Sequence, residues 1–253
     1  MSVKKKVIVI MPAYNAETTL EQTVRDIPNG IVDKIILVDD YSCDRTVEIA
    51  EILNLTIVKH NKNRGYGANQ KTCYDEALKL GADIVVMIHP DYQYDPRIIP
   101  YALGFITSDI CDIIIGSRIR DRKEALAGGM PLYKYVSNRL LTFIENMAFG
   151  QNLGDFHSGF RLYKREVLEK IRYRNNSDNF VFDTQVLAQA VFSGFRIGDV
   201  PIPARYYPEA SSIGLRESIV YGLETLGVVI KYLLQRFRFY RFKLFEEVDD
   251  LRY

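Results

Sequence analysis

Three apolar runs in the first hundred residues, each broken by a polar turn, constrain the fold of this chain more than anything else in it. Val7–Glu17 reads VIVIMPAYNAE, Ile35–Asp44 reads IILVDDYSCD and Val85–Pro96 reads VVMIHPDYQYDP. Helical patterns lie between and after them, near Glu17–Asp26, Asp44–Leu53 and Ala68–Leu80, the last closed by Gly81. With a further strand at Leu55–Lys59, the alternation implies βαβ units and a mostly parallel sheet. In an open α/β sheet, ligands bind outside the carboxyl ends of the strands, so the three polar turns are expected to converge on one site.

The rest of the chain extends this plan. Asp95–Pro96 reads as an N-cap and first-turn proline opening a helix over Arg97–Ile106, and Asp112–Gly116 as a strand ending in Ser117 and Arg118. Arg118–Met130 is a charged, glycine-bearing loop of the kind that closes over a ligand. Pro131–Phe149 and Phe182–Phe192 have helical spacing and are separated by a loop carrying Asp155, His157, Ser158, Gly159 and Arg161. Gly194 stops the second helix, and a strand at Arg196–Pro201 follows. The expected organisation is a catalytic body over 1–212 and a helical, basic-aromatic tail over 213–253.

Composition excludes several classes. At 253 residues the chain can bury a full core, and a net charge of +1 provides no global field for nucleic acid. Cys43, Cys73 and Cys111 are widely spaced with no CxxC, which argues against a disulfide framework or zinc site and for a reducing cytoplasm. The N-terminal apolar run meets Pro12 and Asn15 at once, so it reads as a first strand rather than a signal peptide. Ser218–Gln235 is interrupted by Glu224 and Lys231, so no membrane span is expected and the helix should pack on the body.

Several residues could carry chemistry. Asp39 and Asp40 sit where a buried strand should end and point to opposite sides. One can face the crevice and accept from a base or ribose donor, while the other caps the Asp44 helix or braces the loop. Asp91 lies just past a hydrophobic strand with Gln93 two positions on, a spacing that directs two oxygens to one spot, as hard divalent ions require. His89 is either a third ligand or a hydrogen-bond donor. Arg118, Arg139 and Arg161 are candidate phosphate cations because guanidinium matches phosphate oxygens bidentately. Asp183, in FVFDTQ, is either a helix cap or a general base, and Asp155 is its rival as base.

As an ordered set, PAYNAE, VDDYSCDRT, NRGYGANQ (Asn63–Gln70), the DYQYDP segment, GSR (Gly116–Arg118), DFHSGFRLYKREVL (Asp155–Leu168) and FVFDTQVLAQAVFSGFRIGDVPI (Phe180–Ile202) resemble glycosyltransferase family 2. These are inverting enzymes of GT-A fold, and the branch resembled is that of the polyprenyl-phosphate sugar transferases. The resemblance covers about residues 5–210. It implies that Pro12, Tyr14, Glu17, Asp39 and Asp40 hold the nucleoside of a UDP- or GDP-linked sugar, and that the Arg64, Gly65, Gly67 loop closes round the nucleotide. It also implies that Asp91 and Gln93 bind a divalent cation, Mn²⁺ or Mg²⁺, and the donor diphosphate. The first Asp of the usual Asp-x-Asp-x-Gln motif is His89 here, which weakens a Mg²⁺ site and suits Mn²⁺ better.

The acceptor is open between a polyprenyl phosphate and a glycan hydroxyl of a cell-surface polysaccharide. Arg205–Ser212 reads RYYPEASS where the lipid branch has a basic acceptor loop, so Arg205 joins Arg139 and Arg161 as a candidate acceptor-phosphate contact. Arg236–Lys243 interleaves cations and aromatics, suited to an anionic membrane surface or to a contact between copies. A cytoplasmic enzyme, peripheral on the inner face of the membrane, is the expectation. The competing readings are a catalytically inactive nucleotide-sugar-binding protein, favoured only by His89, and a nucleotidyltransferase, which would want a glycine-rich loop where PAYN stands.

Overall fold

The computed structural model describes residues 4–118, 130–203 and 214–246. Its centre is a seven-stranded sheet in the order β3-β2-β1-β4-β6-β5-β7. The strands are β1 (Val7–Ala13), β2 (Lys34–Asp39), β3 (Thr56–Lys59), β4 (Ile84–Met87), β5 (Ile113–Ser117), β6 (Arg161–Lys164) and β7 (Ile197–Pro201). All pairings are parallel except those of β6, which runs antiparallel to both β4 and β5.

Alternation along the strands feeds two cores. Ile8 and Ile10 of β1 face one cluster with Val85, Met87 and Tyr163, while Val7, Val9 and Met11 face another with Ile84, Val86 and Leu162. On the second face lie α1 (Leu20–Arg25), α2 (Thr46–Ile52) and α4 (Ile99–Thr107), preceded by a 3₁₀ turn at Pro96–Ile98. The first face is covered by α3 (Tyr66–Lys79) and by three helices from the rear half, α5 (Leu132–Phe149), α7 (Phe182–Phe192) and α8 (Leu215–Arg236), with the short α6 (Arg165–Lys170) beside them. Layers of helix on both faces explain why the strands read as uninterrupted apolar runs.

The Asp95–Pro96 start is as the sequence implies, with the Asp95 carboxylate accepting from the Arg97 amide. β6 is the element that sequence reasoning took for loop. Its four buried residues, Arg161-Leu-Tyr-Lys164, begin and end on cations, which hides Leu162 and Tyr163 facing opposite cores. α8 packs on α5 and α7, and Phe242, Leu244 and Phe245 fold back on the same core. No helix among the described residues is long and apolar enough to cross a membrane.

Candidate active site

The three polar turns do converge. A cavity of about 790 Å³ lies outside the carboxyl ends of β1, β2 and β4, lined by Pro12, Tyr14, Asp40, Gly65, His89, Asp91, Gln93, Arg118 and Asp183. Its far wall comes from α5 and α8, through Lys134, Asn138, Glu217 and Tyr221, with His157 from the loop before β6.

Hydrogen bonds lock the turns to one another. The Asn15 amide donates to Ser42 Oγ, the Cys43 amide to Asn15 Oδ1, and the Ala16 amide to Thr46 Oγ1. Glu17 accepts from the Arg45 amide at 3.0 Å and is exposed, so its carboxylate braces α2 instead of lining the cavity. Asn69, buried on α3, donates to the carbonyls of both Ala13 and Val38, tying the ends of β1 and β2 together.

Of the two roles open to the second aspartate, capping or bracing the loop, the structure takes the bracing one. Asp40 is the one lining the cavity, yet its oxygens accept from the Arg64 and Gly65 amides, each at 2.9 Å, and from His60 Nδ1 at 2.6 Å. It braces the loop and does not cap α2, whose first turn is held by Asp44. Asp39 is buried beside Ala13; Oδ2 accepts from the Ser42 amide, and Oδ1 has no hydrogen-bond partner among the described residues.

The glycines of the Arg64–Gly67 loop answer to protein, not to open space. Gly65 has φ +97° and a Cβ there would sit 2.8 Å from the Asp178 carbonyl oxygen. A Cβ on Gly67 would collide with the Ser177 carbonyl and lie 2.8 Å from Phe182 Cβ, and its amide donates to Asp178 O. Close backbone approach is what these positions need, but the approach is to the 177–182 segment. Arg64 is exposed and contributes its amide to Asp40.

His89 is clamped. Its ring stacks on Tyr66, with centroids 5.5 Å apart, and Nε2 lies 3.2 Å from the Tyr66 hydroxyl. Gly159 lies flat beneath it, and any Cβ there would strike the imidazole. Burial pushes the His89 pKa down against the opposing charges of Asp91 and Asp183, so the ring is neutral at pH 7. Asp91 accepts from the Gln93 amide at 3.0 Å. No group of three or more His, Cys, Asp or Glu is placed to hold a metal ion among the described residues.

Both candidate bases are engaged. Asp183 accepts from Gln70 Nε2 at 3.0 Å and from the Tyr66 hydroxyl at 2.8 Å, and pairs with Arg161 at 3.3 Å. Burial, then the Asp183 charge, raises the Tyr66 pKa, which keeps that phenol a donor. Asp155 is fully buried and accepts from Arg118 Nε at 2.6 Å, Asn138 Nδ2 at 2.9 Å and the His157 amide at 2.9 Å. Burial alone would raise its pKa; the Arg118 charge and hydrogen bonds outweigh that and hold it well below the carboxylate range.

Two of the arginines depart from the expected role. Arg161 is fully buried under the site and donates to the carbonyls of Phe156, Ser158 and Asp183, so no phosphate reaches it. Arg139 is exposed and donates to the Gly154 carbonyl at 2.7 Å, outside the cavity lining. Arg205 and most of the Arg118–Met130 loop lie outside the described residues. Sequence reasoning passed over Tyr66, Asn69, Lys134, Asn138 and Tyr221. The signal for Asn69 was available, since Asn-Gln at 69–70 interrupts the face of α3 that must pack on the sheet.

A helix-covered sheet with a cavity at the switch between parallel halves is the GT-A-like architecture of nucleotide-sugar glycosyltransferases. The sequence model of "Glycosyl transferase family 2" matches residues 8–172, and the chain belongs to that family. It is a nucleotide-sugar-dependent glycosyltransferase. It is 31% identical over 219 residues to UDP-N-acetylglucosamine–dolichyl-phosphate N-acetylglucosaminyltransferase of Methanococcus voltae, covering 80% of this chain and 86% of that one. It is 30% identical over 212 residues to the low-salt glycan biosynthesis hexosyltransferase Agl6 of Haloferax volcanii, covering 82% of this chain and 49% of that one. Among solved structures, glucosyl-3-phosphoglycerate synthase of Mycobacterium tuberculosis in complex with UDP superposes with a TM-score of 0.68 at 19% identity, covering 90% of this chain and 80% of the other.

Proposed function

We propose that this chain transfers a sugar, with inversion, from a UDP- or GDP-linked donor to a polyprenyl phosphate at a membrane surface. The observation that carries the acceptor is Lys134. It is half-buried in the cavity wall and makes no hydrogen bond or ion pair among the described residues. Burial, then the charge of Arg118, lowers its pKa. Two cations held side by side in a partly dry wall want an anion, and a phosphate oxygen supplies one. A lipid phosphate is already a nucleophile and needs no base, which suits a site whose Asp155 and Asp183 are both tied to donors. The Methanococcus voltae relative is named for transfer to dolichyl phosphate, which supports the same reading.

On the donor side, Pro12 and Tyr14 line the cavity, and the orphan Oδ1 of Asp39, buried just behind that lining, is an acceptor suited to a base N–H. Asp91, a neutral His89 and Gln93 fit a divalent cation that arrives with the donor diphosphate better than a resident ion, since one carboxylate plus substrate phosphates is a usual Mg²⁺ or Mn²⁺ arrangement. Bound there, the ion would neutralise the departing diphosphate. Solved complexes of the Mycobacterium tuberculosis enzyme with Mn²⁺ and UDP-glucose agree with that choice. Arg118 and Lys134 would meet phosphates at the other end.

Membrane contact is supported by an apolar face on the outer side of the two helices that wall the cavity. Leu132, Val136, Leu140, Phe143 and Met147 of α5 are exposed, as are Ile219, Leu223 and Ile230 of α8. Beside Ile219 and Leu223 lie Glu217 and Glu224, but within 130–149 and 225–245 the only carboxylate is buried Glu145, while Arg139, Lys231, Arg236, Arg238 and Arg241 are exposed. Cations round an apolar face suit an anionic bilayer. In the tail, Phe237, Phe239 and Tyr240 are exposed while Phe245 is docked, so 214–246 serves as a cover on the catalytic body with one outward aromatic edge.

The test is to incubate the purified chain with UDP- and GDP-sugars, Mn²⁺ and either a short polyprenyl phosphate or the corresponding alcohol, reading products by mass spectrometry. A glycosyl phosphodiester formed only with the phosphate is expected. Product from the alcohol alone would reverse the acceptor reading.

A further inference from the structure

Behind the wall that carries Lys134 lies a buried polar chain with no part in the scheme above. Glu145 of α5 is fully buried, and neither carboxylate oxygen has a hydrogen-bond partner among the described residues. His157 Nε2 lies 3.1 Å from Glu145 Oε2. On the other side of the ring, Nδ1 is 2.6 Å from the Tyr221 hydroxyl of α8. His157 and Tyr221 both line the cavity, and Thr184 Oγ1 of α7 stands 3.4 Å from the same hydroxyl. The His157 amide shares Asp155 with Arg118 and Asn138, so this chain of groups meets the cavity where the unpaired Lys134 does.

The proton inventory of the chain leaves one site free to change. A carboxylate in so dry a place needs a positive partner, and His157 is the one within reach. No hydrogen bond fixes Nε2, which lies 3.1 Å from Glu145 Oε2; in the tautomer that puts the ring proton on Nε2, beside the carboxylate, the variable position is Nδ1. When the ring is neutral, Nδ1 accepts, the phenol proton of Tyr221 points at the ring, and only oxygen lone pairs face the cavity. When the ring is an imidazolium, Nδ1–H donates to the phenol oxygen and the Tyr221 O–H turns outward as a donor. The phenol does not itself ionise, because burial and then the Glu145 charge raise its pKa. An anionic oxygen is welcomed by the second arrangement and repelled by the first.

We propose that Glu145, His157 and Tyr221 form a protonation-set switch at the acceptor end of the cavity, presenting a hydroxyl donor to a phosphate monoester only when His157 is an imidazolium. The switch rests on the phosphate-acceptor reading. Its members are positioning residues apart from Tyr221, which touches the ligand. The other charged groups facing it are the Asp155–Arg118 pair with Lys134, the Asp183–Arg161 pair, and Glu217, one turn before Tyr221 on α8 and in the same cavity lining. Their titration, and that of the ligand phosphate, is common to the native chain and to Tyr221→Phe, so the ratio of the two isolates the switch.

The experiment measures binding of a short isoprenyl phosphate to the full chain, with UDP present, by calorimetry from about pH 5.5 to 8.5, the range in which imidazole titrates. At the acid end the native chain should bind about tenfold more tightly than Tyr221→Phe, the value of one hydrogen bond to a charged oxygen. The ratio should fall to one or below as pH rises, and His157→Gln should make it independent of pH. In turnover, Tyr221→Phe should raise acceptor KM and leave kcat nearly unchanged. Tyr221→Phe removes one oxygen, so it reports even if His157→Gln folds poorly. A ratio that is flat with pH, or equal to one throughout, overturns the switch while the acceptor reading stands. Failure of the native chain to bind isoprenyl phosphate at any pH, with UDP binding intact, overturns both.

Discussion

The two walls of the cavity are built on opposite principles. The front wall, from the ends of β1, β2 and β4, spends its polar side chains on backbone: Asp40 on the 64–65 amides, Asn69 on two strand carbonyls, Asn15 and Glu17 on the neighbouring turn. The rear wall, from α5, β6, α7 and α8, holds buried charge: Arg161, Asp155, Asp183, Glu145 and His157, together with the uncompensated Lys134. Satisfied backbone makes a rigid frame that a nucleotide finds ready. Buried charge makes a surface whose energy depends on what anion or proton is present. The difference suggests a division of labour, with recognition on a fixed front and response in a charged rear.

That contrast is open to attack, and the sharpest attack is Arg161→Met. Removing a guanidinium that serves three carbonyls and Asp183 should cost about 3–5 kcal/mol in urea unfolding. A loss below about 1 kcal/mol would mean that the rear charges matter no more than surface ones. Next comes acid. The Asp155 pKa is depressed in the fold, so its contribution is complete above the unfolded value near 4 and is lost as pH falls through the folded one. Native stability should therefore drop more steeply below about pH 4 than that of Asp155→Asn, by on the order of 2–3 kcal/mol. Parallel pH series of urea midpoints check this.

Smaller effects probe the front. Gly67→Ala, which drives a methyl into the 177–182 segment, should cost about 1–3 kcal/mol. Gly104→Ala, on α4 with nothing within 4 Å, should stabilise by about 0.5–1 kcal/mol through helix propensity. Equal midpoints for the two would show that the front loop is not held by contact. The smallest stability change is expected at Lys134→Met, whose melting temperature should equal or exceed the native one, since the lost ammonium had no partner. Its acceptor KM should nonetheless rise.

The front half was legible in sequence because its chemistry is local. Strand runs, turn residues and the capping Asp95 sit within a few positions of what they contact, and β1 to β4 and α3 fall within a few residues of their expected ends. The rear half was not, because its meaning lies in contacts between distant segments. Arg161 reads as a phosphate cation until β6 is known to bury it, and Asp155 reads as a base until Arg118 closes on it. Glu145 carries no signal in the sequence, and only the fold turns it inward against His157. Glycines 65 and 67 carried a signal of close approach, which the fold meets with the 177–182 segment, while Gly65 also lines the cavity.

The reversed strand has a consequence for how the molecule comes into being. β6 occupies the place between β4 and β5, yet the chain reaches it only after completing the long helix that ends at Phe149. Until residue 164 has been made, the ribosome holds a four-strand half-sheet with a bare, aliphatic edge at β4 and an unattached β5. Such an edge invites pairing with other nascent chains. Fragments that stop before β6 should therefore precipitate during expression, and those that include it should not.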